Sequence, residues 1–221
     1  VSDVADPKNP EVLGYLKITG YSDYLHPYDE NHIIGIGKET IGSESGNFAW
    51  YQGVKVSLFD VSDVENPIEK AKIEIGDRGT SSDALRNHKA VLFDREKGIL
   101  VLPITLAEID ESKYEGKEIS SNAYGQQVWQ GAFVLDISLE GISERGRITH
   151  DNETPEKNEY GYMNFDYNKQ IKRSLYMGDV LYTISNSIVK ANELESLDEV
   201  NLVEWETDQS NLYYGIEEAM F

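Results

Sequence analysis

Val54-Lys55-Val56-Ser57-Leu58-Phe59-Asp60-Val61-Ser62-Asp63-Val64-Glu65-Asn66-Pro67 reads as a strand running into a turn. Asp, Ser and Asn favour chain reversal through side-chain hydrogen bonds to the backbone, and Pro67 cannot serve inside a central strand. Ile68 to Ile75 then reads as the returning strand, so the whole stretch is a hairpin. The unit recurs. Val1-Ser2-Asp3-Val4, with Asn9-Pro10 and the run Val12 to Ile18, repeats its second half. Ala132 to Ser138, a turn at Gly141 and a strand from Ile142 to Ile148 form another copy, and Ser187 to Lys190 with Leu197 to Trp205 a weaker one.

A second hairpin stands ahead of each of these. Tyr24 to Tyr28 and His32 to Ile36 flank Asp29-Glu30-Asn31; Lys89 to Phe93 and Ile99 to Leu102 flank Asp94 to Gly98; Ser174 to Met177 and Val180 to Ser185 flank Gly178-Asp179. Two hairpins make four strands per unit, and self-similarity of this kind marks a repeat architecture. On the pairing of Val1 with Val61, the first spacing is sixty residues; the second, from Val61 to Ile137, is seventy-six. Long connections, Lys38 to Gly53 and Leu106 to Gly131, account for the length, and they end alike in Trp50-Tyr51-Gln52-Gly53 and Val128-Trp129-Gln130-Gly131. Loops this long are commonly functional or disordered.

Continuous apolar runs such as Ile99 to Leu102 fit strands covered on both faces, as in radially stacked sheets. The expected fold is all-β, a partial β-propeller of about three four-stranded blades, either a fragment of a ring or an incomplete one. Residues 1–20 supply the closing strand of a preceding blade, 21–76, 82–148 and 162–205 are blades, and 206–221 form a tail. Short helical turns are expected near Ser82 to Arg86, Glu193 to Leu197 and Gly215 to Phe221. Three units cannot close a ring, which leaves open edges for another copy of the chain or for the segment after Trp205.

Leu58 to Pro67, Ile75-Gly76-Asp77-Arg78-Gly79-Thr80, His88 to Asp94 and Gly20 to Pro27 together resemble a family of secreted archaeal and bacterial proteins. These carry a C-terminal β-propeller domain distantly related to WD-40 repeats. The resemblance runs through most of positions 1 to 205. It implies a propeller fold and an extracellular or cell-surface setting, and no established activity comes with it.

Among the 221 residues, 40 acidic against 20 basic side chains give a formal charge of −20. Such a field repels nucleic acid and anionic membrane surfaces. The carboxylates are scattered, which fits a solvated surface, and a cation such as calcium is the alternative use for them. No cysteine is present, so the core alone must hold the fold. No apolar run approaches the roughly 18 residues of a membrane span, and Val1-Ser2-Asp3 does not begin a signal peptide.

No nucleophile elbow, phosphate loop, dinucleotide fingerprint or EF-hand pattern occurs. What remains is a constellation. Ser22-Asp23-Tyr24-Leu25 and Ser82-Asp83-Ala84-Leu85 stand at equivalent places before the first strand of a unit. Radial symmetry would bring Asp23, His26, Asp83 and His88 to a shared polar mouth suited to a cation or polar ligand. Ser-Asp before a strand is equally ordinary turn chemistry. His32 and His150 read as surface residues, and Asp60, Asp63, Asp77 and Asp136 as turn residues. Tyr51, Tyr114, Tyr124 and Trp129 lie in the long loops and could form an adhesive or carbohydrate-stacking surface. Two functions follow from these readings. One is a non-catalytic extracellular module binding a protein or surface glycan through its loops, and the other a hydrolase or lyase with a cation-assisted site at the channel mouth.

Overall fold

A computed structural model of the chain describes residues 1–43, 46–151 and 163–207. It contains fourteen strands among these residues, all paired antiparallel. The first blade is a meander of β3 (Tyr21–Pro27), β4 (His32–Gly42), β5 (Ala49–Asp60) and β6 (Ile68–Ile75). The second is β7 (Leu92–Asp94), β8 (Ile99–Glu108), β9 (Gln126–Ser138) and β10 (Gly141–Ile148). The third is β11 (Arg173–Met177), β12 (Val180–Ile184), β13 (Ile188–Glu193) and β14 (Glu199–Glu204). A two-stranded ribbon, β1 (Ser2–Asp3) with β2 (Glu11–Val12), precedes them. The chain is a partial propeller with no closed barrel.

Side-chain alternation on β8 shows why the blades stack. Leu100, Leu102, Ile104 and Leu106 join Val54, Val56 and Leu58 of the first blade in one buried core. Ile99 and Val101 point the other way, into a second core with Ala132, Val134, Ile171 and Leu181. A strand buried on both faces needs the continuous apolar run seen here, and each fully buried Leu or Ile contributes about 1.5–3 kcal/mol. The blades therefore stabilise one another through their faces.

The turns repeat at the level of single hydrogen bonds. Asn66 Nδ2 donates to Asp63 Oδ2 (3.0 Å) and the Ser62 amide to Asp60 Oδ1 (2.9 Å). Asn9 Nδ2 likewise donates to Asp6 Oδ2 (2.7 Å) and the Ala5 amide to Asp3 Oδ1 (2.8 Å). Asp6-Pro7-Lys8-Asn9-Pro10 is thus the counterpart of Asp63 to Pro67. The first copy is displaced by three residues from the pairing of Val1 with Val61, because the Asp-to-Asn clamp fixes the register. Leu13 to Gly20 then crosses the side of the first blade that faces away from the second, where Lys55 Nζ donates to the Thr19 carbonyl (2.5 Å).

The long connections are shorter than the sequence predicts. β4 and β5 continue pairing out to Gly42 and Ala49, and β8 and β9 out to Glu108 and Gln126, each past a bulge at Lys38/Thr40 and Leu106/Ala107. Among the described residues, 43, 46–48 and 109–125 are what remains outside the ladders. Gly53 and Gly131 occupy equivalent places at the closing strand. A Cβ would lie 2.0 Å from the Gly76 carbonyl oxygen in one and 2.2 Å from that of Ile148 in the other. No other residue fits there.

Of the expected helical turns, one forms at Asp83–Leu85, with a second at His88–Ala90. Glu193 to Leu197 is a reverse turn, and the terminal segment lies outside the described residues. In the third blade, Leu175, Met177, Val180, Tyr182 and Val189 point away from the second blade, opposite Tyr176 and Leu181. Among the described residues, a sheet face is therefore uncovered at that end of the stack, and β14 pairs on one side only.

Candidate functional site

The functional candidates gather where β3 begins and β4 ends, called here the loop end. Gly76 (φ +63°) and Gly79 (φ +113°) shape a tight connection from the first blade to the second, and these left-handed conformations suit glycine. The connection is tied down. The Asp77 amide donates to the Ala107 carbonyl (2.8 Å), and Asp77 Oδ2 accepts the Ile109 amide (2.7 Å). Thr80 Oγ1 both donates to the Ala107 carbonyl and accepts the Ala107 amide, each at 3.0 Å.

Arg78 projects from this braced turn between two rings. Its guanidinium carbon lies 4.7 Å from the centroid of Trp50 and 4.3 Å from that of Tyr124, and Nη2 meets the Tyr124 hydroxyl at 3.2 Å. Nε and Nη1 are shielded and have no hydrogen-bond partner among the described residues, where the ring faces offset the charge. The Gly125 amide donates to the Arg78 carbonyl (2.7 Å) and Gln52 Nε2 to that of Ser121 (2.9 Å), so the 109–125 loop of the second blade is fastened onto the first. Phe48 stacks edge-on against Trp50 at 4.8 Å, and Tyr21 against Tyr51 at 5.5 Å. Burial, followed by the nearby charge of Asp23, raises the pKa of Tyr21. Tyr124 is 67% exposed, Tyr51 57% and Phe48 51%. Large aromatic rings are thus held open to solvent above a braced turn.

Sequence reasoning placed Tyr51 and Tyr124 in the loops and missed Arg78. The available signal was an arginine between glycines in Gly76-Asp77-Arg78-Gly79, immediately after a strand. Trp129 behaves differently from Tyr51. It packs against the core between the first two blades, edge-on to Phe133 at 5.4 Å, with Arg147 over both rings.

Asp23, His26, Asp83 and His88 fall into two pairs by their contacts. The His26 ring lies at the contact of the first two blades, with Nδ1 2.8 Å from the Tyr24 hydroxyl and the ring edge-on to Phe93, and burial lowers its pKa. Tyr24 in turn packs against His88, centroids 6.4 Å apart. Asp83 pairs instead with Lys172 (3.3 Å), and the charge of Asp23 acts on Lys38. Among the described residues no group of three His, Asp or Glu is arranged to hold a metal ion, calcium included.

The remaining histidines differ from their surface assignment. His32 is half-buried between Asp29 (Nδ1 to Oδ1, 2.8 Å) and Asp60 (Nε2 to Oδ2, 3.6 Å) at the strand end where both turns converge. His150 is 1% exposed, because β10 delivers it beneath the third blade, where Nε2 meets Thr183 Oγ1 at 2.9 Å. Burial and then the charges of Lys190 and Lys169 lower its pKa to about 4.

Consecutive four-stranded antiparallel meanders packed face to face define a propeller-class protein. A family model described as a beta propeller domain matches residues 1–197, and the chain belongs to that family. It is 43% identical over 103 residues to an uncharacterised protein of Archaeoglobus fulgidus, and 43% identical over 105 residues to one of Methanocaldococcus jannaschii. Each match covers 47% of this chain but only 14% and 15% of the relative, so the chain spans a small part of their length. Among the described residues no helix is long and apolar enough to cross a membrane.

Proposed function

We propose that this propeller module binds a partner protein at the loop end, as a non-catalytic component of an extracellular or cell-surface protein. One observation carries the reading: Arg78 is fixed between Trp50 and Tyr124, with Phe48 exposed against Trp50 and Tyr51 exposed on the other face of the same strand. Arginine, tryptophan and tyrosine in a preorganised cluster are the residue types that dominate protein recognition, since little rotamer freedom is lost on binding. That Asp83 and Asp23 act on lysines while His26 and His88 pack against Tyr24 favours binding over catalysis. The extracellular setting rests on the resemblance of the Asp-Val-Ser, Gly-Asp-Arg-Gly and His88 to Asp94 segments to secreted proteins.

A surface glycan is the second reading, favoured by the open ring of Tyr124, because sugars stack on such faces. A photo-reactive residue at Phe48, installed in the protein in its native host, is expected to crosslink one defined protein. The same probe at the exposed Glu140, on the opposite end, is expected to capture nothing. A glycan array probed with the purified chain separates the second reading. Equal capture from both positions, with no glycan bound above background, excludes this surface as the binding site.

A further inference from the structure

The inner strand of the second blade is split. Ser81 pairs with Thr105 and Leu92 with Val101, but residues 82–91 leave the sheet between them. Pro103 sits opposite that gap on β8. It has no N–H to offer an inner strand, and its carbonyl accepts the Ser82 hydroxyl instead (2.6 Å). The excursion reaches β3 and β4 of the first blade and β11 of the third, so it sits where all three blades meet.

Between the excursion and Lys38 lies a cleft of about 470 Å³, within the range that holds small molecules. Its charged lining is Lys38, Arg86 and Asp83. Asp83 is engaged by Lys172. Lys38 donates to the carbonyls of Thr80 and Gln52, which leaves one ammonium hydrogen free, and burial depresses its pKa. Neither Lys38 nor Arg86 has a carboxylate within 4.0 Å among the described residues, although the charge of Asp23 acts on Lys38 from further away. Asn87 accepts the Lys89 amide through Oδ1, and its amide nitrogen is left without a partner among the described residues.

We infer that this cleft binds a small oxyanion, a carboxylate or phosphate, opposite in sign to the cation expected from Asp23 and Asp83. The planar guanidinium of Arg86 matches two oxygens of such a group, Lys38 supplies a desolvated point charge, and Asn87 a neutral donor. Leu85 gives the cleft an apolar wall for the remainder of a carboxylate ligand. The site adjoins the aromatic surface but uses none of its residues.

Calorimetric titration of the purified chain with citrate, and separately with inorganic phosphate at low salt, tests the inference. At least one probe is expected to bind, with affinity falling as sodium chloride is raised. Arg86→Ala, an exposed position whose loss leaves the core intact, is expected to weaken binding at least tenfold. Lys89→Ala, an exposed lysine outside the cleft, is expected to leave it unchanged. Asp83→Asn, which would abolish a cation site, is expected to tighten the oxyanion. Binding of neither probe, or equal affinities for the wild type and Arg86→Ala, overturns the inference.

Discussion

At the scale of single residues, the unusual choice is Lys55, a lysine 1% exposed on a central strand. It is held by the Thr19 carbonyl and lies 3.6 Å from both Glu39 and Glu69. Burial opposes ionisation of Glu39. Hydrogen bonds from Thr19, the Thr40 amide and Lys72, with the charge of Lys55, overcome it and set its pKa at about 2. Removing one member of a buried ionic group strands the other, so Lys55→Ala is expected to lower the free energy of unfolding by about 3–5 kcal/mol in urea titrations. Two groups then govern behaviour in acid. Glu39 binds its proton less readily in the folded chain than in the unfolded one. Its contribution is complete above about pH 4.5 and is lost toward pH 2. His150 is also depressed, from 6.5 to about 4, so the unfolded chain takes up the proton first and stability falls between those values. Each step is on the order of 3 kcal/mol. Urea titrations at pH 7.5, 5 and 3 should show both, and His150→Gln should flatten the upper one only.

At the scale of elements, the strands were legible because their turns are written in local chemistry. Asp60, Ser62, Asp63 and Asn66 bond within a few residues of themselves, so sequence order alone reveals the hairpin. The loop ends were read as loops because Trp50, Tyr51 and Gln52 carry no alternation; pairing to Thr40 and Ile41 beyond a bulge extends the strands. Arg78, Lys38 and Arg86 were not found, since each acquires its meaning from another blade. The shared Gln-Gly ending of the two connections was a sound repeat signal with a steric cause. Gly131→Ala should destabilise by about 1–3 kcal/mol through the clash with the Ile148 carbonyl. Gly141→Ala, with nothing within 4 Å of the new methyl, should leave Tm near its original value, and calorimetric scans compare the two.

For the whole molecule, the two cores give each blade a stake in its neighbour. The third blade presents Leu175, Val189 and Val203 outward, together with Met177 at 61% exposure. A dye that fluoresces in apolar surroundings should bind this face. Met177→Glu with Val203→Glu should abolish most of that signal while shifting Tm by no more than a few degrees, because both side chains already contact water.

The opposite end of the stack is unlike it, with Lys55, Glu39, Glu69 and Lys72 beneath the Leu13 to Gly20 segment. Copies arranged nose to tail would press oily side chains onto an ionic lattice that is already satisfied. Such a joint desolvates charge without a compensating gain, which works against open-ended fibres. The two end faces of the described stack are thus chemically mismatched for contact with one another.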